Sequence, residues 1–142
     1  MSAENKALVR RFYEAFAAGD LESLKALLAP DLVAYTHGQP GPQSREEQLQ
    51  TIAMWGACFA TRFDVEEQIA EGDKVVTRVT MHAVHNGDPF MGVPPSGKEI
   101  IASGVSIERI RDGRIAHRRV ASDWFGMMQQ LGLVALPEQG KR

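Results

Sequence analysis

The chain has 142 residues, 44% of them hydrophobic and 24% charged, a balance that suits one globular domain and excludes both disorder and a fibrous repeat. A net charge of −2 gives the molecule as a whole no pull towards nucleic acid or an acidic membrane. One cysteine, Cys58, rules out an internal disulfide framework, and no cysteines and histidines fall at structural-zinc spacing, so no metal is expected.

The first residues, Met1 to Lys6, lack the apolar run of a signal peptide, and no stretch approaches the ~20 apolar residues of a membrane helix, so a cytoplasmic protein with no membrane or nucleic-acid partner is expected. Ser2 is placed to cap a helix from about Ala3 to Ala18, with Leu8, Phe12, Ala15 and Phe16 on one face. Gly19 ends it, and Asp20 starts a short helix as N-cap, stopping before Pro30. Residues 32 to 37 read as a short strand. A loop rich in glycine and proline then leads to Ser44 and Glu47, spaced as a capping box for a third helix to about Ala60.

From Phe63 the apolar period becomes two. Gly72-Asp73 supplies a turn before a strand from Lys74 to Val84, and further strands are expected over 99–110 and 114–123, joined at Asp112-Gly113. A last helical turn or two covers Trp124 to Leu131, and residues 137–142 are expected to fray. Helices first and strands after, with no repeat or linker, imply one α+β domain over 1–142. Three helices against a curved sheet leave a concave, apolar space suited to a small molecule. Val, Ile and Ala on the outer sheet face suggest pairing with a second copy, a homodimer.

Motifs for phosphate, dinucleotide, zinc or nucleophile-elbow chemistry are missing, so the chemistry must rest on scattered polar residues. Asp123, closing a strand amid Trp124, Phe125 and Met127, would be partly desolvated, which raises a carboxyl pKa and makes a better base at working pH. It would serve equally as N-cap of the last helix. In an extended 114–123 segment, Ile115, His117, Arg119, Ala121 and Asp123 share one face, with Arg119 roughly 13 Å along the strand from Asp123. Tyr35 and His37 on the first strand, with His82 and His85, are the available hydrogen-bonding partners. Met54, Trp55 and Phe59 are spaced to line a pocket or to pack a core. The segment from Met91 to Gly97, with Pro94-Pro95, is a stiff connector that could form a cavity lip. Arg109, Arg111, Arg114, Arg118 and Arg119 crowd one hairpin, as a solvated face, an anion contact or an interface.

Several stretches together resemble the SnoaL-like polyketide cyclase and ester cyclase branch of the cone-shaped NTF2-like superfamily. They are Val9 to Phe16 with Gly19-Asp20, Ala29-Pro30-Asp31, Ala70 to Val76, Phe90 to Lys98, Arg111 to Ile115 and Asp123 to Gly132. The resemblance implies a cystatin-like α+β cone, three N-terminal helices on a curved mixed or antiparallel sheet enclosing an apolar pocket, as a homodimer. It also implies that Asp123 holds the place of the catalytic carboxylate, taking a proton from an activated carbon so that a carbanion closes a ring by aldol attack, with no cofactor.

The sequence departs from that pattern at Arg119, where an aromatic residue is usual, and at Val79, where a bulkier one is frequent. The expected function is therefore acid/base catalysis on a small apolar carbonyl compound, with Asp123 as base and Tyr35, His37, Trp55, Phe59, Met91 and Arg119 holding the substrate. The alternatives are a dimer that binds a small molecule without chemistry, and an epoxide-hydrolase-like enzyme using Asp123 with Arg78 or Arg119.

Overall fold

The computed structural model describes residues 2–36 and 39–135. Helix α1, Ser2–Ala18, begins at Ser2 itself, so Ser2 is its first residue rather than its cap. It ends at Gly19, whose φ of +67° suits a residue without a side chain. Helix α2, Leu21–Leu27, starts from Asp20, whose carboxylate accepts from the Ser23 amide at 3.1 Å and the Ser23 hydroxyl at 2.6 Å. Strand β1, Leu28–Tyr35, follows directly. Helix α3, Arg45–Cys58, opens with the capping box that the sequence spells out: Ser44 Oγ accepts from the Glu47 amide at 3.2 Å, and Glu47 Oε1 accepts from the Ser44 amide at 3.0 Å.

Strands β2, Phe59–Glu71, and β3, Lys74–His85, form a hairpin; β4, Glu99–Arg111, and β5, Arg114–Ser122, form another. The second turns at Asp112 and Gly113, both with positive φ, the pairing that matches the twist of adjacent strands. Helix α4, Trp124–Gln130, closes the described fold as a fourth helix. The sheet runs β1-β5-β4-β3-β2, with β1 parallel to β5 and every other pair antiparallel. The α+β cone with a mixed sheet is thus the architecture adopted.

Alternation along β4 sets the two faces. Ile100, Ala102, Gly104, Ser106, Glu108 and Ile110 are buried under the helices, while Ile101, Val105, Ile107 and Arg109 are exposed on the other side. Two apolar clusters fill the helix side. One gathers Leu8, Val9 and Phe12 of α1 with Leu24, Ile52, Val75 and Ile115; the other gathers Phe59, Phe90 and Ile100 with Met127 and Met128 of α4.

The connector after β3 is pinned to the end of α3, where the Gly87 and Asp88 amides donate to the Cys58 and Ala57 carbonyls at 3.1 and 2.9 Å. A Cβ at Gly87 would collide with the Ala57 carbonyl, so this approach requires glycine. At the far end of β4, beyond its pairing with β5, the Gln130 amide takes the place of a neighbouring strand. It accepts from the Ile101 N–H and donates to the Ile101 carbonyl, both at 2.8 Å. Among the described residues no helix is long and apolar enough to cross a membrane. The tail 137–142 lies outside the described residues.

Candidate functional site

Between the two apolar clusters lies a cavity of about 170 Å³. Its wall is largely aromatic and thioether: Phe16, Phe63, Trp55, Phe90 and Trp124 with Met54, Met81 and Met127, and Val79 and Val120 fill gaps between them. Such a lining removes an apolar ligand from water and leaves selection to the few polar groups present.

Four of those groups belong to one hydrogen-bonded cluster. Tyr13 of α1, Gln48 and Thr51 of α3 and Arg118 of β5 all line the cavity. Arg118 Nε donates to Glu108 Oε2 at 2.9 Å, its Nη1 donates to Gln48 Oε1 at 3.2 Å, and its Nη2 donates to the Tyr13 hydroxyl at 3.4 Å. The Tyr13 hydroxyl donates to Ser106 Oγ at 2.7 Å, and Ser106 Oγ donates to Glu108 Oε1 at 3.0 Å. Behind Gln48, its Nε2 donates to Gln43 Oε1 at 3.0 Å, and Gln43 Nε2 donates to Thr51 Oγ1 at 2.9 Å. The Arg118 guanidinium also lies over the Phe12 ring, 4.5 Å from its centre.

Glu108 is wholly buried, and removal from water pushes its carboxyl above the usual range despite the opposing pull of Arg118. Burial likewise raises the Tyr13 phenol, again against Arg118. Both groups therefore favour the protonated state more than they would in water.

Trp55, singled out from the sequence, is in the cavity wall; its indole N–H donates to Thr61 Oγ1 at 2.9 Å and its ring stacks 4.2 Å from that of Phe59. Phe59 is 3% exposed and lies behind Trp55 as core, rather than in the wall. Met91 is 60% exposed on the connector, and its neighbour Phe90 enters the wall in its place. Tyr35 and Arg119 stand together away from the cavity, the guanidinium 3.9 Å above the ring. His37 lies outside the described residues.

Asp123 is exposed, so the desolvation expected of it is not found. Its Oδ1 accepts from the Gly126 amide at 2.9 Å as N-cap of α4. Ser122 and Trp124, on either side of it, line the cavity, whereas Asp123 itself is not among the lining residues. His82 pairs with exposed Asp64 at 3.0 Å, and buried His85 joins the Asp88 carbonyl at 2.9 Å, so neither belongs to the cavity.

Sequence reasoning missed Tyr13, Gln48 and Glu108, and it named Arg118 only within the arginine cluster, as a solvated face, an anion contact or an interface. A usable signal existed for Glu108, which shares its strand parity with Ile100, Ala102 and Ile110 and so had to turn inward with them. Glu108 is linked across the sheet to Arg118, not to its neighbour Arg119. Among the described residues the acidic partner of Arg118 is Glu108. Arg78 pairs with Glu67 at 2.8 Å in an exposed position off the cavity.

Known proteins resemble this chain over most of its length. The SnoaL-like polyketide cyclase family matches residues 7–131. Aklanonic acid methyl ester cyclase DauD of Streptomyces sp. (strain C5) is 24% identical over 131 residues, covering 88% of this chain and 80% of that protein. Among solved structures, IdmH of Streptomyces antibioticus, a polyketide cyclase candidate, is 34% identical with a TM-score of 0.81, covering 90% of this chain and 98% of its own. AclR of Streptomyces galilaeus, a hydroxylase candidate, is 27% identical with a TM-score of 0.85, covering 99% and 91%. On the extent of that match the chain belongs to the SnoaL-like polyketide cyclase family.

Proposed function

We propose that the protein is an acid/base enzyme that moves a proton on a small, largely apolar carbonyl compound, with intramolecular aldol closure or a related isomerisation as the outcome. The observation that carries this reading is the hydrogen-bonded cluster of Tyr13, Gln48 and Arg118 set into an otherwise apolar cavity. Arginine has five N–H groups, and Arg118 commits three of them to Glu108, Gln48 and Tyr13. Two remain for a ligand oxygen. An oxyanion formed there meets a fixed cation in a low-dielectric site, where the attraction is stronger than in water.

In this reading Asp123 is the base, working on the part of a substrate that extends past Ser122 and Trp124. A carboxylate acting on a carbon already flanked by carbonyls needs no cofactor, because the substrate supplies the acidity and the cavity supplies the orientation. The exposed Ile101, Val105 and Ile107 on the outer sheet face would be covered by a second copy, making the working unit a homodimer. Family membership supports a cyclase-like activity in general terms.

One observation favours a second reading, a dimer that binds a small molecule without chemistry: Asp123 is an exposed helix cap, a role that needs no reaction. The two readings separate in a titration of the wild type and Asp123→Asn against apolar ketones, β-keto esters and lactones, followed by NMR. Turnover that disappears in Asp123→Asn while binding persists is the expected result. Binding without turnover in either protein would establish the carrier, and turnover that survives the substitution would remove Asp123 as base.

A further inference from the structure

We infer that Tyr13, Ser106 and Glu108 form a proton relay that serves the cavity as a second acid/base centre, acting on a ketone whose oxygen rests on Arg118. The inference rests on the acid/base reading above and goes beyond it, because it places a second acid/base group beside Arg118, whereas Asp123 caps α4 beyond the end of β5. The group adjacent to an oxygen on Arg118 is the Tyr13 hydroxyl, 3.4 Å from Nη2.

Each link of the relay is in place and oriented. Tyr13 O–H donates to Ser106 Oγ at 2.7 Å, and Ser106 O–H donates to Glu108 Oε1 at 3.0 Å. When the substrate C–H bond breaks, its electron pair stays on carbon and delocalises onto the carbonyl oxygen as an enolate. The proton joins the Tyr13 oxygen, the phenolic proton passes to Ser106, and the Ser106 proton passes to Glu108, which becomes a carboxylic acid. Return of a proton along the same path quenches the enolate at carbon.

Charge is conserved around Arg118 throughout. At the start its guanidinium faces the Glu108 carboxylate; at the end it faces the enolate, with Glu108 neutral. The buried site therefore holds one cation and one anion in both states, and the step avoids the large cost of creating an unpaired charge away from water. Burial supports this by favouring the protonated form of Glu108. A purely structural role would be met by any hydrogen-bonding set, whereas this chain of two hydroxyls ends on a buried ionisable group that does not itself line the cavity.

The test is deuterium uptake at the benzylic α-carbon of β-tetralone, followed by proton NMR in deuterated buffer, with tryptophan fluorescence reporting binding of the same ketone. The wild type should accelerate uptake with a rate that rises as Glu108 ionises. Tyr13→Phe and Ser106→Ala keep both charges of the Arg118–Glu108 pair, so each should bind β-tetralone within about twofold of wild type. Each should lose about a hundredfold in uptake rate, the scale of a general-base contribution, together with the pH inflection. If Ser106→Ala does not fold, Tyr13→Phe makes the same test. Uptake and pH profile unchanged in both variants would overturn the relay. Loss in Asp123→Asn alone would overturn it as well while leaving the acid/base reading intact. No acceleration by the wild type would overturn both.

Discussion

Glu108 and Arg118 stand opposite each other in the β4–β5 register, Oε2 to Nε at 2.9 Å, with 0% and 5% of their surfaces reaching solvent. Each has the other as its charge partner, and neighbouring hydrogen bonds from Ser106, Gln48 and Tyr13 occupy further polar sites on both groups. Removing one member strands the other in a low-dielectric interior. Glu108→Leu or Arg118→Met should therefore cost about 3–5 kcal/mol in chemical denaturation. The double substitution E108L/R118M should recover most of that loss while abolishing ligand binding. A double variant no more stable than the singles would show that the pair has net stabilising value beyond mutual neutralisation.

Much of the architecture was legible because local chemistry and fold agree. Asp20, the Ser44–Glu47 box and the Asp112-Gly113 turn each satisfy specific backbone demands, and those demands hold in the folded chain. The parallel pairing of β1 with β5 carries no local signature, since its partners lie more than eighty residues apart. Side-chain direction on β5 was harder still. A register shift between Arg109 and Ile110 interrupts the pairing of β4 with β5, so Ile115 and Ala116 are both buried and simple alternation fails along the strand. Beyond it Arg118 faces the cavity and Arg119 does not. Tyr13 shares α1 with the core residues Val9 and Phe12, and only the tertiary fold shows that its hydroxyl meets Ser106, 93 residues away.

Arg119 lies over the ring of Tyr35, its register partner on β1, and away from the cavity. Arg119→Ala should then leave the affinity for cavity ligands within about twofold of wild type. Its cost to stability should be that of an exposed cation–π contact, about 0.5–1 kcal/mol. Calorimetric titration of both proteins with one apolar ketone checks the first expectation, and thermal unfolding checks the second. A large loss of affinity would mean that this side chain reaches the ligand after all.

His117 is held below its ordinary value of 6.5, by burial first and then by the charges of Arg119, Arg109 and Lys74. The folded protein thus binds this proton less readily than the unfolded chain. Its contribution to stability is complete above the unfolded value and is lost as pH falls through the lower, folded value. Wild type should lose more stability than His117→Asn as pH drops from 7 through that window, measured by urea denaturation at each pH. Parallel curves for the two proteins would mean that the imidazole is solvated equally in both states.

Val79 is 6% exposed and borders the open space of the cavity, on β3 two residues before Met81 and in register with Val65. Replacing it with phenylalanine directs a ring into that space instead of into packed core. The usual penalty for overpacking, about 1–3 kcal/mol, applies where no void exists to take the added atoms; here an apolar cavity of about 170 Å³ does exist. Val79→Phe should accordingly be as stable as wild type or more so, because the ring buries apolar area at little strain. The same ring occupies the volume a ligand needs, so binding of β-tetralone should weaken about tenfold or more in calorimetric titration. Tyr13, Glu108 and Arg118 are untouched by the change, which separates loss of space from loss of chemistry. Unchanged affinity would place the ligand elsewhere on the molecule, whereas a fall in stability without loss of binding would show that Val79 is packed core and that the cavity begins beyond it.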